Sequence, residues 1–169
     1  MKYLILGGAR SGKSRRAEQM AADSGKSVTY IATATALDDE MQARIAHHQQ
    51  LRPAHWNLVE EPLALADALH RVSSPDRCII VDCLTLWLNN LLCGNNEQRM
   101  QNEIASLLQT VPQLQGDIIF VSNETGMGIV PAGALTRQFV DTSGRLHQSL
   151  AVACDHATLM VAGLPIKLK

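Results

Sequence analysis

A glycine-rich segment near the amino terminus constrains this chain more than any other feature. Residues 7–14 read GGARSGKS, which fits the pattern G-x-x-x-x-G-K-S/T directly after an apolar run and directly before a helix-like segment. The glycines let the backbone curl so that successive N–H groups point inward, and a helix that begins there adds the positive end of its dipole. The pattern predicts a strand–loop–helix unit that binds nucleotide phosphates. The binding residues would be Gly7, Gly8, Ala9, Arg10, Ser11, Gly12, Lys13 and Ser14.

Three side chains fit the chemistry that such a loop needs for phosphoryl transfer. We expect Lys13 to be a catalytic residue that reaches the β- and γ-phosphates, and the Ser14 hydroxyl to bind Mg²⁺. A second acid for the metal is expected at the end of a neighbouring buried strand, where Asp82 follows the apolar run 78–81. An aspartate in that place can also cap the following turn, so both roles are open for Asp82.

Apolar runs without alternation recur along the chain, separated by segments with helical periodicity. Such runs are typical of strands buried on both faces of a parallel sheet. The predicted strands are residues 3–6, 27–32, 78–81, 117–122 and 158–162, and the predicted helices are 13–22, 37–51, 62–72, 97–110 and 135–154. This order predicts an α/β fold with a mostly parallel sheet flanked by helices. No linker or repeat divides the sequence, so we expect residues 1–169 to form a single domain.

Polar residues also follow the fourth predicted strand. Asn123 and Glu124 come directly after the run 117–122, so we expect them at the edge of the sheet where ligands of open α/β folds bind. His147, farther along the chain, has no partner that the sequence reveals.

Charge and composition exclude several classes of protein. The chain has 15 Lys and Arg residues against 16 Asp and Glu, a formal net charge of −1, which argues against binding nucleic acid by bulk charge. No apolar run approaches the roughly 18 residues of a membrane span, and the apolar run at the amino terminus is too short for a signal peptide. The four cysteines lack metal-site spacing and are expected to be reduced thiols. We therefore expect a cytoplasmic protein without a membrane span.

The predicted helix 37–51 carries two adjacent histidines, His47 and His48. Adjacent residues lie about 100° apart on a helix, so the two imidazoles cannot address one phosphate equally or form a helical metal clamp. A neutral imidazole can attack a phosphoryl group and hold it as a phosphoramidate, and Arg44, one turn away, would neutralise the developing charge. The alternative is that both histidines are surface or boundary residues, and the residues alone do not decide between these interpretations.

Several further segments, taken together with the loop, point to a family. In chain order they read YIATA at 30–34, DDEM at 38–41, RIAHH at 44–48, RPAHW at 52–56, VDCLT at 81–85, NETGMGIVP at 123–131 and GR at 144–145. With these segments, which span nearly its whole length, the chain resembles the bifunctional adenosylcobinamide kinase/adenosylcobinamide-phosphate guanylyltransferases of cobalamin biosynthesis.

The resemblance implies two reactions. The first is phosphorylation of the aminopropanol hydroxyl of adenosylcobinamide, a corrinoid, by ATP or GTP. The second is transfer of GMP from GTP to that phosphate through a guanylylated histidine, which gives adenosylcobinamide-GDP. By its position in the motif the guanylylated residue would be His47, and Mg²⁺ would accompany the nucleotide.

The resemblance also implies a nucleotide-binding set, a fold and an assembly. Beside the loop, the residues near the nucleotide would be Thr33, Ala34, Thr35, His48, Gln49, Gln50, Leu51, Glu60 and Asp82. The choice of Glu60 over Glu61 rests only on its distance from Trp56. Members of the family resemble RecA-like P-loop nucleoside triphosphate hydrolases and assemble as trimers, so a homotrimer is expected. His147 stands where the family often has an asparagine, and the resemblance assigns it no role.

Two other interpretations stay open. The chain could be a small-molecule P-loop kinase with a single activity, in which His47 and His48 are structural. It could also be a GTP-binding regulatory protein that hydrolyses its nucleotide slowly. A covalent GMP on the protein would distinguish the bifunctional enzyme from both.

Overall fold

The computed structural model of the protein describes residues 1–35 and 53–169. Its strands are β1 (Lys2–Gly7), β2 (Ser27–Ala32), β3 (Asn57–Glu60), β4 (Arg77–Asp82), β5 (Asp117–Asn123), β6 (His156–Val161) and β7 (Leu164–Lys167). Its helices are α1 (Lys13–Asp23), α2 (Leu65–Val72), α3 (Leu84–Cys93), α4 (Glu97–Thr110) and α5 (Ala134–Ala153), with a 3₁₀ turn at Val111–Gln113.

The strands of the described residues form one sheet in the order β3-β2-β4-β5-β1-β6-β7. Every neighbouring pair is parallel except β6 and β7, which form an antiparallel hairpin at one edge. Since β1 lies in the interior of the sheet, its last residue, Gly7, has Asn123 of β5 on one side and Met160 of β6 on the other. The predicted α/β fold with a mostly parallel sheet flanked by helices is confirmed.

The core has two parts, one on each face of the sheet, because successive strand residues point to opposite faces. Leu4 packs with Trp87 of α3 and Phe120 of β5 in the larger part, whereas Ile5 packs with Ala17 of α1 in the smaller part. All five side chains are at most 1 % exposed. Burial on both faces explains why these strands read as continuous apolar runs.

The two strands that the sequence did not predict lack a strong local pattern. β3 has four residues, three of them exposed, and β7 is fully exposed and contains a proline. α3 was also missed, although its buried residues follow the spacing of one helix face: Leu84, Trp87, Leu88, Leu91 and Leu92. Two predicted bounds were also wrong. The helix predicted at 62–72 begins at Leu65, and the strand predicted at 158–162 begins at His156. The predicted helix 37–51 lies outside the described residues.

Two further expectations concern membrane spans and the cysteines. None of the described helices is long and apolar enough to cross a membrane. The four cysteines are unpaired, and three of them, Cys78, Cys83 and Cys154, are buried. Burial raises the pKa of the Cys83 thiol to about 11, which makes it an unreactive thiol at neutral pH.

Trp87 offers a test of this packing. It is fully buried, and its indole N–H donates a hydrogen bond to the Leu63 carbonyl at 2.7 Å. We expect Trp87→Ala to lower the free energy of unfolding by about 3–5 kcal/mol, because it removes a large buried side chain and leaves a cavity. The change is measured by urea unfolding followed by far-UV circular dichroism. Val152→Ala is the control, since Val152 is 82 % exposed and its truncation should change stability by less than about 0.5 kcal/mol.

Candidate nucleotide-binding site

The glycine-rich loop joins β1 to α1 and is shaped by its backbone. Arg10 and Gly12 have φ angles of 57° and 93°, and Ser11 N donates to the Gly8 carbonyl at 3.3 Å. α1 begins directly after Gly12, and no side chain in the described residues caps its amino terminus. The first N–H groups of α1 are therefore available to an anion, with the positive end of the helix dipole behind them.

Gly7 cannot carry a side chain in this loop. A Cβ atom built there would lie 2.5 Å from Ser11 Oγ and 2.7 Å from the Met160 carbonyl oxygen. A Cβ at Gly8, in contrast, would meet nothing within 4 Å. The two adjacent glycines thus differ in function, because only Gly7 is required by the close approach of the neighbouring backbone.

Lys13 lies inside the loop. Its side chain is largely buried, with the residue 8 % exposed, and its Nζ donates a hydrogen bond to the Gly8 carbonyl at 2.8 Å. Burial lowers the pKa of Lys13, and the negative charges of Cys83 and Asp82, when ionised, act in the opposite direction. A triphosphate in the loop would add strong negative charge beside this ammonium and favour its charged form.

Ser11 has a buried hydroxyl that makes no hydrogen bond within the described part of the chain. A buried polar atom without a partner is unusual in a folded protein. The orphaned hydroxyl lies in the loop itself, beside Gly7, where a phosphate oxygen would satisfy it. This observation fits an oxyanion ligand in the loop. Ser14 lies in the first turn of α1 and is partly exposed.

Asp82 ends β4 at the same edge of the sheet. Its Oδ2 accepts a hydrogen bond from the Tyr30 hydroxyl at 2.7 Å, which fixes the carboxylate between β2 and β4. Thr33 follows β2 and is fully buried. Its hydroxyl donates to the Cys83 carbonyl at 2.7 Å and accepts from Cys83 N at 2.9 Å. Thr33 thus ties the ends of β2 and β4 together beside Asp82.

The remaining sequence-predicted residues divide into two groups. Ala34 is partly buried and Thr35 is exposed, both just beyond β2, and Glu60 is exposed at the end of β3 opposite Ala32. His47, His48, Gln49, Gln50 and Leu51 lie outside the described residues.

Glu60 and Glu61 differ in what they bind. The Glu61 carboxylate accepts hydrogen bonds from the backbone N–H groups of Leu63 at 3.0 Å and Ala64 at 2.8 Å, ahead of α2. This local capping occupies Glu61, whereas Glu60 is exposed at the edge of the sheet. The difference favours Glu60 as the nucleotide contact, and that assignment remains a prediction.

Sequence reasoning missed contacts that join distant parts of the chain to the loop. Glu124 N donates to the Gly7 carbonyl at 3.0 Å, and Gly163 N, in the turn of the β6–β7 hairpin, donates to the Ser11 carbonyl at 3.0 Å. Glu124 was expected at this edge of the sheet, and the structure places it there. The contact between the hairpin and the loop gave no local sequence signal, because the turn residues Ala162 and Gly163 lie about 150 residues from the loop in sequence.

The fold and this loop define a class: a protein with the P-loop nucleotide-binding fold. Several solved structures share this fold. RadB recombinase superposes with a TM-score of 0.54 at 17 % identity, covering 94 % of this chain and 73 % of its own. Protein PH0250 from Pyrococcus horikoshii gives 0.57 at 10 % identity, covering 99 % and 85 %. An ATPase of a bacterial type III secretion system gives 0.59 at 12 % identity, covering 94 % and 51 %.

The particular family follows from sequence comparison. The model of the cobinamide kinase/cobinamide phosphate guanyltransferase family matches residues 3–168, and the chain belongs to this family. The bifunctional adenosylcobalamin biosynthesis protein CobP of Pseudomonas aeruginosa is 57 % identical over all of this chain and 98 % of its own length. The corresponding protein CobU of Escherichia coli is 41 % identical, with both chains fully covered. The predicted family and the predicted enzyme class, a transferase, are confirmed.

The pair of glycines at the start of the loop gives a matched test. We expect Gly7→Ala to lower the free energy of unfolding by about 1–3 kcal/mol, because the new methyl group overlaps two neighbouring oxygens. It should also weaken GTP binding, since the loop must shift to make room. Gly8→Ala should change stability by less than about 0.5 kcal/mol. Thermal unfolding and equilibrium dialysis with labelled GTP measure the two effects, and equal behaviour of the variants would contradict the steric account.

Proposed function

We propose that this chain phosphorylates the aminopropanol hydroxyl of adenosylcobinamide with ATP or GTP and then transfers GMP from GTP to the product through a guanylylated histidine, His47. The product would be adenosylcobinamide-GDP. The observation that carries the proposal is the loop itself, with a buried Lys13 and an orphaned Ser11 hydroxyl, in a chain that the family model matches from end to end. The description of the family names both activities, and we extend them to this chain.

Lys13 is the proposed catalytic residue of the loop. In the described part of the chain its ammonium group donates a hydrogen bond to the Gly8 carbonyl, across the loop. A triphosphate would bring β- and γ-oxygens to this ammonium, which would stabilise the charge that develops on the transferred phosphoryl group. The backbone N–H groups at the start of α1 would hold the remaining phosphate oxygens.

Mg²⁺ fits the proposed site as a partner of the triphosphate. Ser14 and Asp82 supply a hydroxyl and a carboxylate, and oxygen donors of this kind are those that Mg²⁺ prefers. Asp82 is held in place by Tyr30, so its position does not depend on the ion. When bound, the ion would offset phosphate charge in both reactions. We propose Ser14 and Asp82 as its protein ligands.

The guanylylation step needs a nucleophile for the α-phosphorus, which lies away from the γ-phosphorus that Lys13 serves. A histidine on a separate segment of the chain meets this requirement, and a neutral imidazole can form the phosphoramidate without losing a proton first. We assign this role to His47 from its position in the family motif. The nucleotide contacts proposed beside it are His48, Gln49, Gln50 and Leu51, together with Thr33, Ala34, Thr35 and Glu60.

The adjacent histidines allow a matched test of this assignment. After exposure to GTP and Mg²⁺, intact-mass spectrometry of the wild-type protein should show added GMP, stable in alkali and labile in acid. His47→Ala should abolish the added mass, because it removes the nucleophile, whereas His48→Ala should retain it. If His47→Ala carries GMP as the wild type does, the assignment is wrong. Phosphorylation of cobinamide without any covalent GMP would instead indicate a kinase with a single activity.

We further propose that the protein assembles as a homotrimer and acts in the cytoplasm. Exposed apolar side chains follow β5, where Met127, Ile129 and Val130 are between 75 % and 97 % exposed, and such a patch is typical of an interaction surface. Unpaired cysteines and nucleoside triphosphate substrates fit a reducing compartment. The expected partners are the nucleotide and the corrinoid, with no nucleic acid.

The assembly can be measured directly. Sedimentation equilibrium of the wild-type protein should give three times the mass of one chain. Ile129→Asp should shift the protein toward smaller species, because a charge in an apolar contact is costly. Val152→Asp is the control, since Val152 is equally apolar and 82 % exposed but lies on α5 outside the patch. A monomeric wild-type protein would contradict the proposal.

A further inference from the structure

A line of polar side chains runs through the interior beside the phosphate loop, from α3 across β5 to α5. Asn123 N donates a hydrogen bond to Thr85 Oγ1 at 2.7 Å, and Thr85 Oγ1 lies 3.3 Å from Ser122 Oγ. Ser122 Oγ lies 2.7 Å from His147 Nε2, and His147 Nδ1 lies 3.8 Å from Glu124 Oε2. Ser122 and His147 are 1 % and 6 % exposed, so this line is closed to water at its centre.

The hydrogen bonds give this line a direction. A backbone N–H can only donate, so Thr85 Oγ1 accepts from Asn123, and we assign the Thr85 proton to the contact with Ser122. In this assignment Ser122 donates to His147 Nε2, which also lies 3.5 Å from Ser143 Oγ, and Nε2 acts as an acceptor. In a neutral imidazole the proton consequently resides on Nδ1, the atom that faces Glu124. Burial lowers the pKa of His147 and favours this neutral form, although the Glu124 carboxylate opposes the shift.

Glu124 ends this line at the nucleotide side of the sheet. Its backbone N–H is bonded to Gly7 in the loop, and its Oε1 accepts a hydrogen bond from Gly126 N at 2.6 Å. The Glu124 side chain is 20 % exposed, so the carboxylate is held from within and open to solvent on one side. β5 lies between β4, which ends at Asp82, and β1, which leads into the loop. Along the edge of the sheet, Glu124 therefore lies between the strand of the proposed metal ligand and the strand that leads into the loop.

We propose that Glu124 is a further catalytic residue, which accepts the proton of the corrinoid hydroxyl during phosphoryl transfer, and that His147 is the residue that positions it. This inference rests on the proposed kinase function. The hydroxyl oxygen forms a bond to the γ-phosphorus while the bond from that phosphorus to its bridging oxygen breaks. The hydroxyl proton moves to the Glu124 carboxylate and then to solvent, and the nucleoside diphosphate leaves.

His147 would act on the second oxygen of that carboxylate. Gly126 holds Oε1, so Oε2 is the oxygen that the imidazole orients. The 3.8 Å separation is longer than a hydrogen bond, and such contacts tighten when a substrate completes the site. Guanylylation of the protein makes no such demand, because a neutral imidazole has no hydroxyl proton to lose. Loss of the Glu124 carboxylate should therefore slow phosphorylation and leave guanylylation of the protein unchanged.

Glu124→Gln tests the catalytic role. Glutamine keeps an oxygen for the Gly126 N–H, so the loop after β5 retains its support. We expect kcat for cobinamide phosphorylation to fall by about 10²–10⁴-fold, whereas the amount of GMP bound covalently after GTP exposure should stay within about twofold of wild type. Glu97→Gln is the control, since Glu97 is exposed on α4, where it accepts a hydrogen bond from Gln101 of the same helix.

Two substitutions of His147 test the positioning role. Asparagine places its amide near the Nδ1 position and can still donate toward Glu124, whereas glutamine places its amide near Nε2 and retains only the Ser122 side of the line. We expect His147→Asn to keep kinase kcat within about threefold of wild type and His147→Gln to lower it about tenfold, with the KM for the triphosphate unchanged in both. A purely structural role predicts that the two rates follow thermal stability instead.

Each outcome has one meaning. A wild-type protein that neither phosphorylates cobinamide nor takes up GMP contradicts the proposed function, and the inference falls with it. If the wild type is active and Glu124→Gln phosphorylates at the same rate, the role of Glu124 is wrong while the proposed function stands. Equal losses of phosphorylation and of covalent GMP in that variant also overturn the inference, because Glu124 would then support the loop and not one reaction. A selective loss of phosphorylation supports it.

Discussion

The close approach of backbone around Gly7 is the constraint on which the rest of the site depends. The Gly7 carbonyl accepts a hydrogen bond from Glu124 N, and the space that a Cβ would need is taken by Ser11 Oγ and the Met160 carbonyl. β5, β6 and the loop therefore meet at one residue. Because β1 is an interior strand, these contacts fix where the loop leaves the sheet before any nucleotide binds. Because the loop is preformed, nucleotide binding does not incur the entropy cost of ordering the loop.

The site also shows how a chain with a net charge of −1 can bind a polyanion. Binding is assigned to backbone N–H groups, to one buried lysine and to a hydroxyl that otherwise has no partner, and a count of charged side chains registers only the lysine. Lys13 faces the Gly8 carbonyl in a desolvated position where electrostatic interactions are stronger than in water. The near-neutral composition argues against binding of nucleic acid by bulk charge, as the sequence indicated, but it does not argue against binding of nucleotides.

What could be predicted from the sequence depended on whether the signal is local. The strand–loop–helix unit at residues 7–14 and the buried strands were predictable because glycine spacing and apolar runs lie within a few residues of one another. The bond from Tyr30 to Asp82 and the one from Ser122 to His147 were not, since they join residues 52 and 25 positions apart. Short, exposed β3 gave no apolar pattern, and the choice between Glu60 and Glu61 needed the capping contacts ahead of α2.

The chemistry of the two acceptors explains why one loop can serve two reactions. A hydroxyl must lose a proton as it attacks phosphorus, whereas a neutral imidazole attacks with a free lone pair and a phosphate monoester is already ionised at neutral pH. A carboxylate is therefore useful in the kinase reaction alone, and the proposed carboxylate, Glu124, follows the strand that lies between those leading to Asp82 and to the loop. The nucleophile for the α-phosphate must come from another segment of the chain. The fold can thus keep one set of phosphate contacts and change the reaction by changing which acceptor approaches them.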